Sequence, residues 1–252
     1  MGRKTIDRTG EKGVNNFGSE MVIVEYRKWD DVDIYFPKYD WTLKHVRYAH
    51  FKNGEIKCPY ERRYFNVGYL GEGKYKMSEN GKFKKEYKIW YHMLQRCYDP
   101  KYQEREPTYK GCTVEEFWLN FQNATEWYKS NYYEIPGERI ELDKDILFKG
   151  NKIYSRDTCI FVPQKINLLF TKRGNNIRLR KSGNYQVNCN NIYGKTICLG
   201  TYSSKEEAFQ VYKQYKEKLI KDVIDSYKGK IPEPHYSKLK EAMYNYEVEI
   251  DD

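Results

Sequence analysis

The sequence has 252 residues and a formal net charge of +9, and aromatic residues make up 17% of it. Disordered chains are poor in aromatic residues, so this composition excludes a largely disordered protein. No run of about 18 apolar residues is present, which excludes a membrane-spanning helix. The first 19 residues are polar and lack the apolar region of a secretory signal. Six cysteines without a C-x-x-C pair indicate reduced, mostly buried thiols.

The N-terminal part of the chain is predicted to be a flexible segment, residues 1–19, followed by a small mainly-β module, residues 20–75. Two β-branched and aromatic runs, Met21–Tyr26 and Val32–Phe36, are separated by a short polar stretch, which is typical of a β-hairpin. Residues 42–51 are predicted to form a short helix.

Two helices are predicted in the first half of the segment 76–170. Apolar and aromatic side chains recur at helical spacing across residues 84–98. The stretch Thr113–Glu116 has the Thr-x-x-Glu pattern of a capping box, which predicts a second helix to about Asn131. The aromatic side chains of both helices are interpreted as core residues.

The second half of this segment shows a strand, a turn, a second strand and a helix. Leu142–Leu147 and Cys159–Val162 are predicted strands, and Gly150-Asn151 is a turn between them. Pro163 is predicted to open a short helix through Asn167, because proline is favoured in the first helical turn.

The clearest unit follows, from residue 171 to residue 228. Three alternating segments predict three strands, and the pattern Ser203–Glu206 predicts the capped start of a long helix to about Tyr227. The remaining residues, 229–252, are predicted to be a tail with one short helical stretch. The predicted strands cover residues 176–181, 184–189 and 196–201.

The positive charge is concentrated in this unit. Residues 171–228 contain twelve Lys and Arg against five Asp and Glu, a balance of +7 out of the total of +9. Side chains at positions i and i+2 of a strand share a face, so Arg178 and Arg180 are expected to point the same way. A sheet face with two guanidinium groups can enter a DNA groove or bind phosphates; a solvated basic surface is the alternative.

Residues 176–212 resemble the plant ethylene-response-factor (apetala-type) DNA-binding domain. The resemblance rests on four short stretches: Ile177–Arg180, Gly183–Tyr185, Cys198–Tyr202 and Glu206–Tyr212. In that family a three-stranded sheet reads the major groove of DNA. The resemblance therefore implies that double-stranded DNA is the partner.

Several candidate DNA-binding residues follow from this resemblance. Arg178 and Arg180 match arginines of the family's first strand, whereas Tyr185 and Cys198 stand where plant domains carry tryptophan. Thr196 stands where a third arginine is usual. The predicted DNA-binding residues are Arg178, Arg180, Lys181, Tyr185, Lys195 and Thr196.

Residues 86–170 resemble phage-encoded HNH-type proteins. The matching stretches are Trp90–Tyr98, Tyr109–Cys112, Leu142–Asp145 and Gly150–Ser155, together with Cys159. The core of that family is a strand that ends in an acid–His pair, a turn, a second strand and a helix. The resemblance implies a homing-endonuclease-like protein that cleaves DNA with a divalent metal.

The implied catalytic residues are Asp143, Lys144, Asn151 and Asn167, and the implied ligands of Mg²⁺ or a similar ion are Asp143, Asp145 and Asn167. This sequence departs from the family at one position, because Lys144 stands where the general-base histidine is expected. An ammonium group is protonated at neutral pH and cannot activate water. A base from elsewhere, such as His92, is one alternative, and the loss of catalysis is the other.

These observations predict an α+β protein with a flexible start (1–19), a mainly-β module (20–75), an HNH-like ββα domain with flanking helices (76–170), a DNA-binding sheet on one long helix (171–228) and a tail (229–252). One hypothesis is a metal-dependent DNA-nicking or DNA-cleaving enzyme. The alternative is a catalytically degenerate DNA-binding protein or phage regulator, and a purely structural protein is the third hypothesis. The phage resemblance implies the cytoplasm of an infected bacterial host.

Overall fold

The computed structural model describes residues 6–171, 176–191 and 193–249. Helices alternate with several small sheets along these residues, which confirms the predicted α+β class. The chain divides into two units, Met1–Trp127 and Tyr128–Asp252. The border between them lies inside the segment 76–170 that the sequence assigned to one domain. None of the helices in the described residues is long and apolar enough to cross a membrane.

The first unit begins with a four-stranded antiparallel sheet in the order β1-β2-β3-β4. Its first strand lies within residues 1–19, so the prediction of a flexible start is wrong for that strand; residues 1–5 lie outside the described part. Residues 42–51 are not one helix, because Leu43 pairs with Ile34 and extends the sheet. The elements are β1 (Lys12–Val14), β2 (Glu20–Lys28), β3 (Asp31–Phe36), β4 (Trp41–Val46) and the short helix α1 (Tyr48–Lys52).

The helix predicted over 84–98 is present, but the second one is broken in two. Thr113 lies in a short strand and does not cap a helix. The break falls at Asn120, whose side chain accepts the Gln122 N–H, while Tyr69 bonds the backbone of Leu119 and Phe121. The elements are β5 (Ser78–Glu79), β6 (Lys82–Phe83), α2 (Lys85–Tyr98), α3 (Pro100–Arg105), β7 (Thr113–Val114), α4 (Glu116–Leu119) and α5 (Phe121–Asn131).

Aromatic residues of these helices contribute to the core, as predicted, but Phe117 does not, because it is 42% exposed. Trp90 is buried and its indole N–H donates to the carbonyl of Trp118 over 2.8 Å. The rings of Trp90 and Phe121 meet edge to face, with centroids 5.5 Å apart. Large buried aromatic side chains therefore compensate for the small aliphatic content of this polar chain.

The second unit begins with the predicted strand–loop–strand–helix order. Asp143 pairs with Ile160 and ends the first strand four residues before its predicted end, because the Asp143 carboxylate accepts the backbone N–H groups that follow it. The elements are β8 (Ile140–Asp143), β9 (Ile153–Tyr154), β10 (Ile160–Pro163), which is antiparallel to β8, and α6 (Gln164–Asn167).

The last part of the second unit is a three-stranded antiparallel sheet on a long helix. The helix cap is Ser204, whose Oγ accepts the Glu207 N–H over 3.1 Å, so the predicted capping pattern is displaced by one residue. Val187 and Cys189 of the central strand are buried, as are Ala208 and Tyr212 of the helix. The elements are β11 (Ile177–Leu179), β12 (Tyr185–Asn190), β13 (Thr196–Tyr202), α7 (Lys205–Asp225) and α8 (His235–Tyr244).

Candidate nucleic-acid interface

The three-stranded sheet has one covered face and one open face. The open face follows from the burial of Val187 and Cys189, because neighbouring residues of a strand point to opposite sides. Gln186, Asn188 and Asn190 therefore point away from the buried side. We call this side the polar sheet face, and it consists of Arg178, Arg180, Gln186, Asn188, Asn190, Thr196, Cys198 and Thr201.

The register of the strands places the other members on the same side. Arg178 is the direct partner of Gln186 on the neighbouring strand. Asn188 is opposite Cys198, and Asn190 is opposite Thr196. Opposed residues of an antiparallel pair lie on the same face, so these side chains are neighbours.

Arg180 continues this pairing just beyond the end of β11. Its backbone N–H donates to the carbonyl of Asn184 over 2.8 Å, and it is two residues from Arg178. The pKa of the exposed Cys198 thiol is lowered, first by a hydrogen bond from Gln186 and further by the positive charge of Arg180. The electrostatic influence of Arg180 on Cys198 agrees with the placement of both residues on the polar sheet face.

Two hydrogen bonds organise the amide side chains of this face. Thr196 Oγ1 donates to Asn190 Oδ1 over 2.8 Å, and Gln186 Nε2 donates to Cys198 Sγ over 3.3 Å. The side chain of Asn188 makes no hydrogen bond to another described residue. It can therefore offer both a donor and an acceptor to a ligand.

The predicted DNA-binding residues do not all lie on the polar sheet face. Arg178, Arg180 and Thr196 do, but Tyr185 shares the parity of Val187 and is directed to the helix side. Lys181 and Lys195 are exposed in the two turns at the ends of β12.

Hydrogen bonds join described residues of both turns. In the first turn, Gly183 has a positive φ of 85°, and its N–H donates to the carbonyl of Arg180 over 3.0 Å. In the second turn, Asn191 Oδ1 accepts the backbone N–H groups of Tyr193 and Lys195. Lys181 and Lys195 therefore lie at the rim of the sheet, beside backbone groups that are hydrogen-bonded.

The prediction from sequence omitted the amide residues of the central strand. Gln186, Asn188 and Asn190 alternate with Val187 and Cys189, so the period of two contained the signal. The arginines are conspicuous in the sequence because they carry charge. The neutral amides are marked only by their alternation with the apolar residues of the strand.

The implied catalytic cluster lies in the loop between β8 and β10. Asp143 is buried, and its Oδ1 accepts the backbone N–H groups of Asp145 and Ile146 over 2.8 and 2.7 Å. Burial, followed by the neighbouring Asp145 carboxylate, raises the pKa of Asp143 to about 6. The carboxylate thus acts as a local cap for the turn.

The other implied catalytic residues are occupied by structural hydrogen bonds. Lys144 is buried, and its Nζ donates to Asp145 Oδ2 and to the carbonyl of Asn151, each over 2.8 Å. Asn151 Nδ2 donates to the carbonyls of Lys144 and Ile153 over 2.6 and 2.7 Å. Asn167 Nδ2 donates to Glu141 Oε2 over 2.8 Å. Glu141 precedes Asp143 by two residues on β8.

A divalent ion does not fit these residues as they are placed. Hard cations take carboxylate and carbonyl oxygens as ligands. The ammonium group of Lys144 already donates to one oxygen of each kind, from Asp145 and Asn151. A divalent ion at the same oxygens would be repelled by this ammonium group.

His92, the alternative source of a base, lies in the first unit on α2. Its Nδ1 is 3.2 Å from Gln95 Oε1, one turn further along the same helix. The side chain is exposed on the helix surface.

A second polar cluster lies in the N-terminal sheet and consists of Asp31, Asp33 and His45. Within the described residues, it is the only group of three or more His, Cys, Asp or Glu side chains close enough to share an ion. Arg27 Nη1 already bonds Asp31 Oδ1 over 2.9 Å and Asp33 Oδ1 over 3.0 Å. The guanidinium group balances these carboxylates, and the cluster is an ion-pair network.

Comparison of the chain with protein-family models, with curated proteins and with solved structures finds no significant match.

Proposed function

We propose that the chain is a double-stranded DNA-binding protein and that the polar sheet face enters the major groove. The observation that supports this proposal is the shared direction of two arginines and three amide side chains on one open face, above a buried opposite face. A sheet of this kind can read base edges in the major groove, as an inserted helix does.

The side chains of this face match the hydrogen-bonding groups of base pairs. Arginine donates two hydrogen bonds to guanine O6 and N7, and asparagine or glutamine pairs with adenine N6 and N7. Arg178 and Arg180, at one edge of the protein sheet, would therefore select guanines in the DNA. Asn188 would select adenine from the central strand of the sheet, and Gln186 and Asn190, which are already hydrogen-bonded to Cys198 and Thr196, would add single contacts with base edges.

In this proposal the two lysines of the turns contact the DNA phosphates and not the bases. Lys181 and Lys195 lie at the rim of the sheet, where the DNA backbone passes a groove-bound element. Contacts with phosphates position a protein on DNA and are not sequence-specific. These two residues would add affinity for every sequence equally.

Cleavage of the bound DNA, with a homing-endonuclease-like mechanism and Mg²⁺, is the second candidate function. It is favoured by the strand–loop–strand–helix order of residues 140–167. The buried ammonium group of Lys144 opposes it, so we propose the non-cutting alternative, a degenerate DNA-binding protein or phage regulator. On either proposal the protein would act in the cytoplasm of an infected bacterium.

The proposal is tested by selecting binding sites from a pool of randomised duplexes with the full chain. We expect enrichment of a short site that contains both guanine and adenine. Binding of the selected duplex should weaken by orders of magnitude between about 50 and 200 mM salt if six or more phosphates are contacted.

Variants then locate the binding surface. Arg178→Ala and Arg180→Ala should each weaken specific binding by roughly 1–3 kcal/mol. Lys238→Ala, an exposed position on α8, is the control for a lost positive charge. No enriched site, or equal losses in all three variants, would contradict the proposal.

Incubation of the same duplex with Mg²⁺ or Mn²⁺ tests cleavage, and a specific nick that Asp143→Ala abolishes would establish the second candidate instead.

A further inference from the structure

The loop between β8 and β10 is built around a buried positive charge. The Lys144 side chain has only 7% of its surface exposed, and its Nζ lies 2.8 Å from Asp145 Oδ2. Lysine is almost never buried to this degree unless it is paired, because an isolated ammonium group loses its hydration. The pairing with Asp145 is therefore a condition for the burial of Lys144.

The same ammonium group also fixes the far side of the loop. It donates to the carbonyl oxygen of Asn151 over 2.8 Å. In return, Asn151 Nδ2 donates to the carbonyl of Lys144, so that the two residues are joined by a reciprocal pair of hydrogen bonds. The seven-residue separation between Lys144 and Asn151 is closed by these bonds.

The atoms around Nζ form the kind of environment that usually surrounds a metal ion. A carboxylate oxygen and a backbone carbonyl oxygen approach one positive centre, as in calcium and magnesium sites. Asp143 does not approach as a third ligand through Oδ1, because that atom accepts two backbone N–H groups. The positive centre belongs to the chain itself.

We infer that the Lys144 ammonium group takes the place of a divalent cation as the internal positive charge of this loop, so that the strand–loop–strand unit is folded without metal. The unit then serves as a rigid support and has no metal to activate water. This inference rests on the geometry of residues 143–151 and does not depend on the proposed binding of DNA.

The first experiment measures thermal unfolding of the full chain with and without a chelator, Mg²⁺ or Mn²⁺. We expect the unfolding midpoint of the wild-type protein to be the same in all conditions. A midpoint that falls with chelator or rises with either ion by more than the scatter of replicates would overturn the inference, because ligands of the native state raise its stability.

The second experiment removes the internal charge. Lys144→Met should lower the midpoint by roughly 5 °C, because it removes the two hydrogen bonds that the buried ammonium group donates to the half-exposed Asp145 and to the carbonyl of Asn151. Lys152→Met, at an exposed position on the same loop, is the matched control and should change the midpoint little. Equal midpoints for the two variants would contradict the inference.

A third set of variants keeps the test decisive if Lys144→Met does not fold. Asp145→Asn should also be destabilising, and the double variant Lys144→Met/Asp145→Asn should be more stable than Lys144→Met alone, because it also lacks the Asp145 carboxylate, the negative charge beside the buried Asp143. In Lys144→Ala, the freed oxygens of Asp145 and Asn151 should allow Mn²⁺ to raise the midpoint, an effect that is absent in the wild type. The role of Lys144 as the cation of the loop is refuted by two results together: the midpoint losses of the single variants add in the double variant, and Mn²⁺ does not raise the midpoint of Lys144→Ala.

Discussion

Thr196 orients the side chain of Asn190, because Thr196 Oγ1 donates to Asn190 Oδ1 over 2.8 Å. The two residues are opposite each other on β13 and β12. With its oxygen occupied, the Asn190 amide presents its N–H₂ group outward. Since a fixed donor recognises acceptors only, this hydrogen bond determines which base atoms Asn190 can contact.

Replacement of Thr196 by valine should therefore relax the recognition of one base pair. Valine keeps the shape but removes the hydroxyl donor, so the Asn190 amide can rotate and accept as well as donate. We expect a loss of roughly 1–2 kcal/mol of discrimination at that base pair, within the range of one good base contact. Competition binding with duplexes that carry single substitutions in the selected site measures it.

Thr201→Val is the control on the same face, because Thr201 is exposed and lies opposite Gln186, whereas Thr196 lies opposite Asn190. The base selectivity of Thr201→Val should match that of the wild type at the base pair that Asn190 contacts. An unchanged profile for Thr196→Val would show that Asn190 does not read a base.

Gly200 is required by the irregular pairing of β12 with β13. The register shifts between Val187 and Asn188, which leaves Leu199 as the extra residue, and Gly200 adopts a positive φ of 138°. A Cβ at this position would lie 2.6 Å from the hydroxyl oxygen of Tyr202. Gly200→Ala should destabilise the second unit by roughly 1–3 kcal/mol through strain and displacement of Tyr202.

Chemical denaturation, followed by far-ultraviolet circular dichroism, measures this loss. Thr201→Ala alters the adjacent residue without these steric consequences and should stay within about 0.5 kcal/mol of the wild type. If Gly200→Ala is equally stable, the extra residue at Leu199 does not impose the backbone conformation described here.

Elements that depend on local spacing were predictable from the sequence. The helix α2 follows from the recurrence of apolar side chains, and the order of strands and helix in 176–225 follows from alternation and a capping serine. The positions of Arg178 and Arg180 on one face follow from strand geometry alone.

Features that depend on distant partners were not predictable in this way. Thr113 has the local pattern of a helix cap, yet it lies in a strand. The helix break at Asn120 depends on Tyr69, which is far away in the sequence. The face of Tyr185 could not be assigned until the burial of Val187 was known. Local propensity is a weak guide where pairing between remote segments determines the backbone.

The implied catalytic residues show the same distinction. The substitution of lysine for histidine at position 144 was visible in the sequence and suggested lost catalysis. The hydrogen bonds from its ammonium group to Asp145 and Asn151 could not be predicted from the sequence, because they depend on the closure of the loop.

Stability of the N-terminal sheet should depend on pH through Asp33. A hydrogen bond from Arg27 is the main cause that lowers the pKa of this buried carboxyl group from 3.8 to about 2. A lowered pKa in the folded state means that the stabilisation is complete above about pH 4 and is lost as the pH falls towards 2.

The difference between the wild-type protein and Asp33→Asn isolates this effect. The unfolding free energy of the wild type should fall more steeply between pH 4 and pH 2 than that of the variant. Lys44→Gln, an exposed change on the neighbouring part of the same sheet, should keep the wild-type slope. Parallel slopes for the wild type and Asp33→Asn would show that the ion pair does not contribute.

The last described residues should stabilise the second unit, because they are bound to two separate parts of it. The Val248 N–H donates to Glu217 Oε1 of α7 over 3.1 Å, and the Val248 side chain is 1% exposed. On the other side, Lys149 Nζ bonds the carbonyl of Glu247 over 3.0 Å and lies 3.2 Å from Glu249 Oε2. The terminal segment thus joins the loop after β8 to the long helix.

Val248→Ala should therefore lower the unfolding free energy by roughly 1–2 kcal/mol, since it removes buried methyl groups and leaves a small cavity. Glu247→Ala is the matched control, because the Glu247 side chain is exposed and only its backbone carbonyl is used. Hydrogen exchange should show faster opening of α7 amides near Glu217 in Val248→Ala and unchanged exchange in Glu247→Ala. Equal exchange in both variants would mean that Val248 is buried without restraining the helix, and the link between loop and helix would then depend on Lys149 alone.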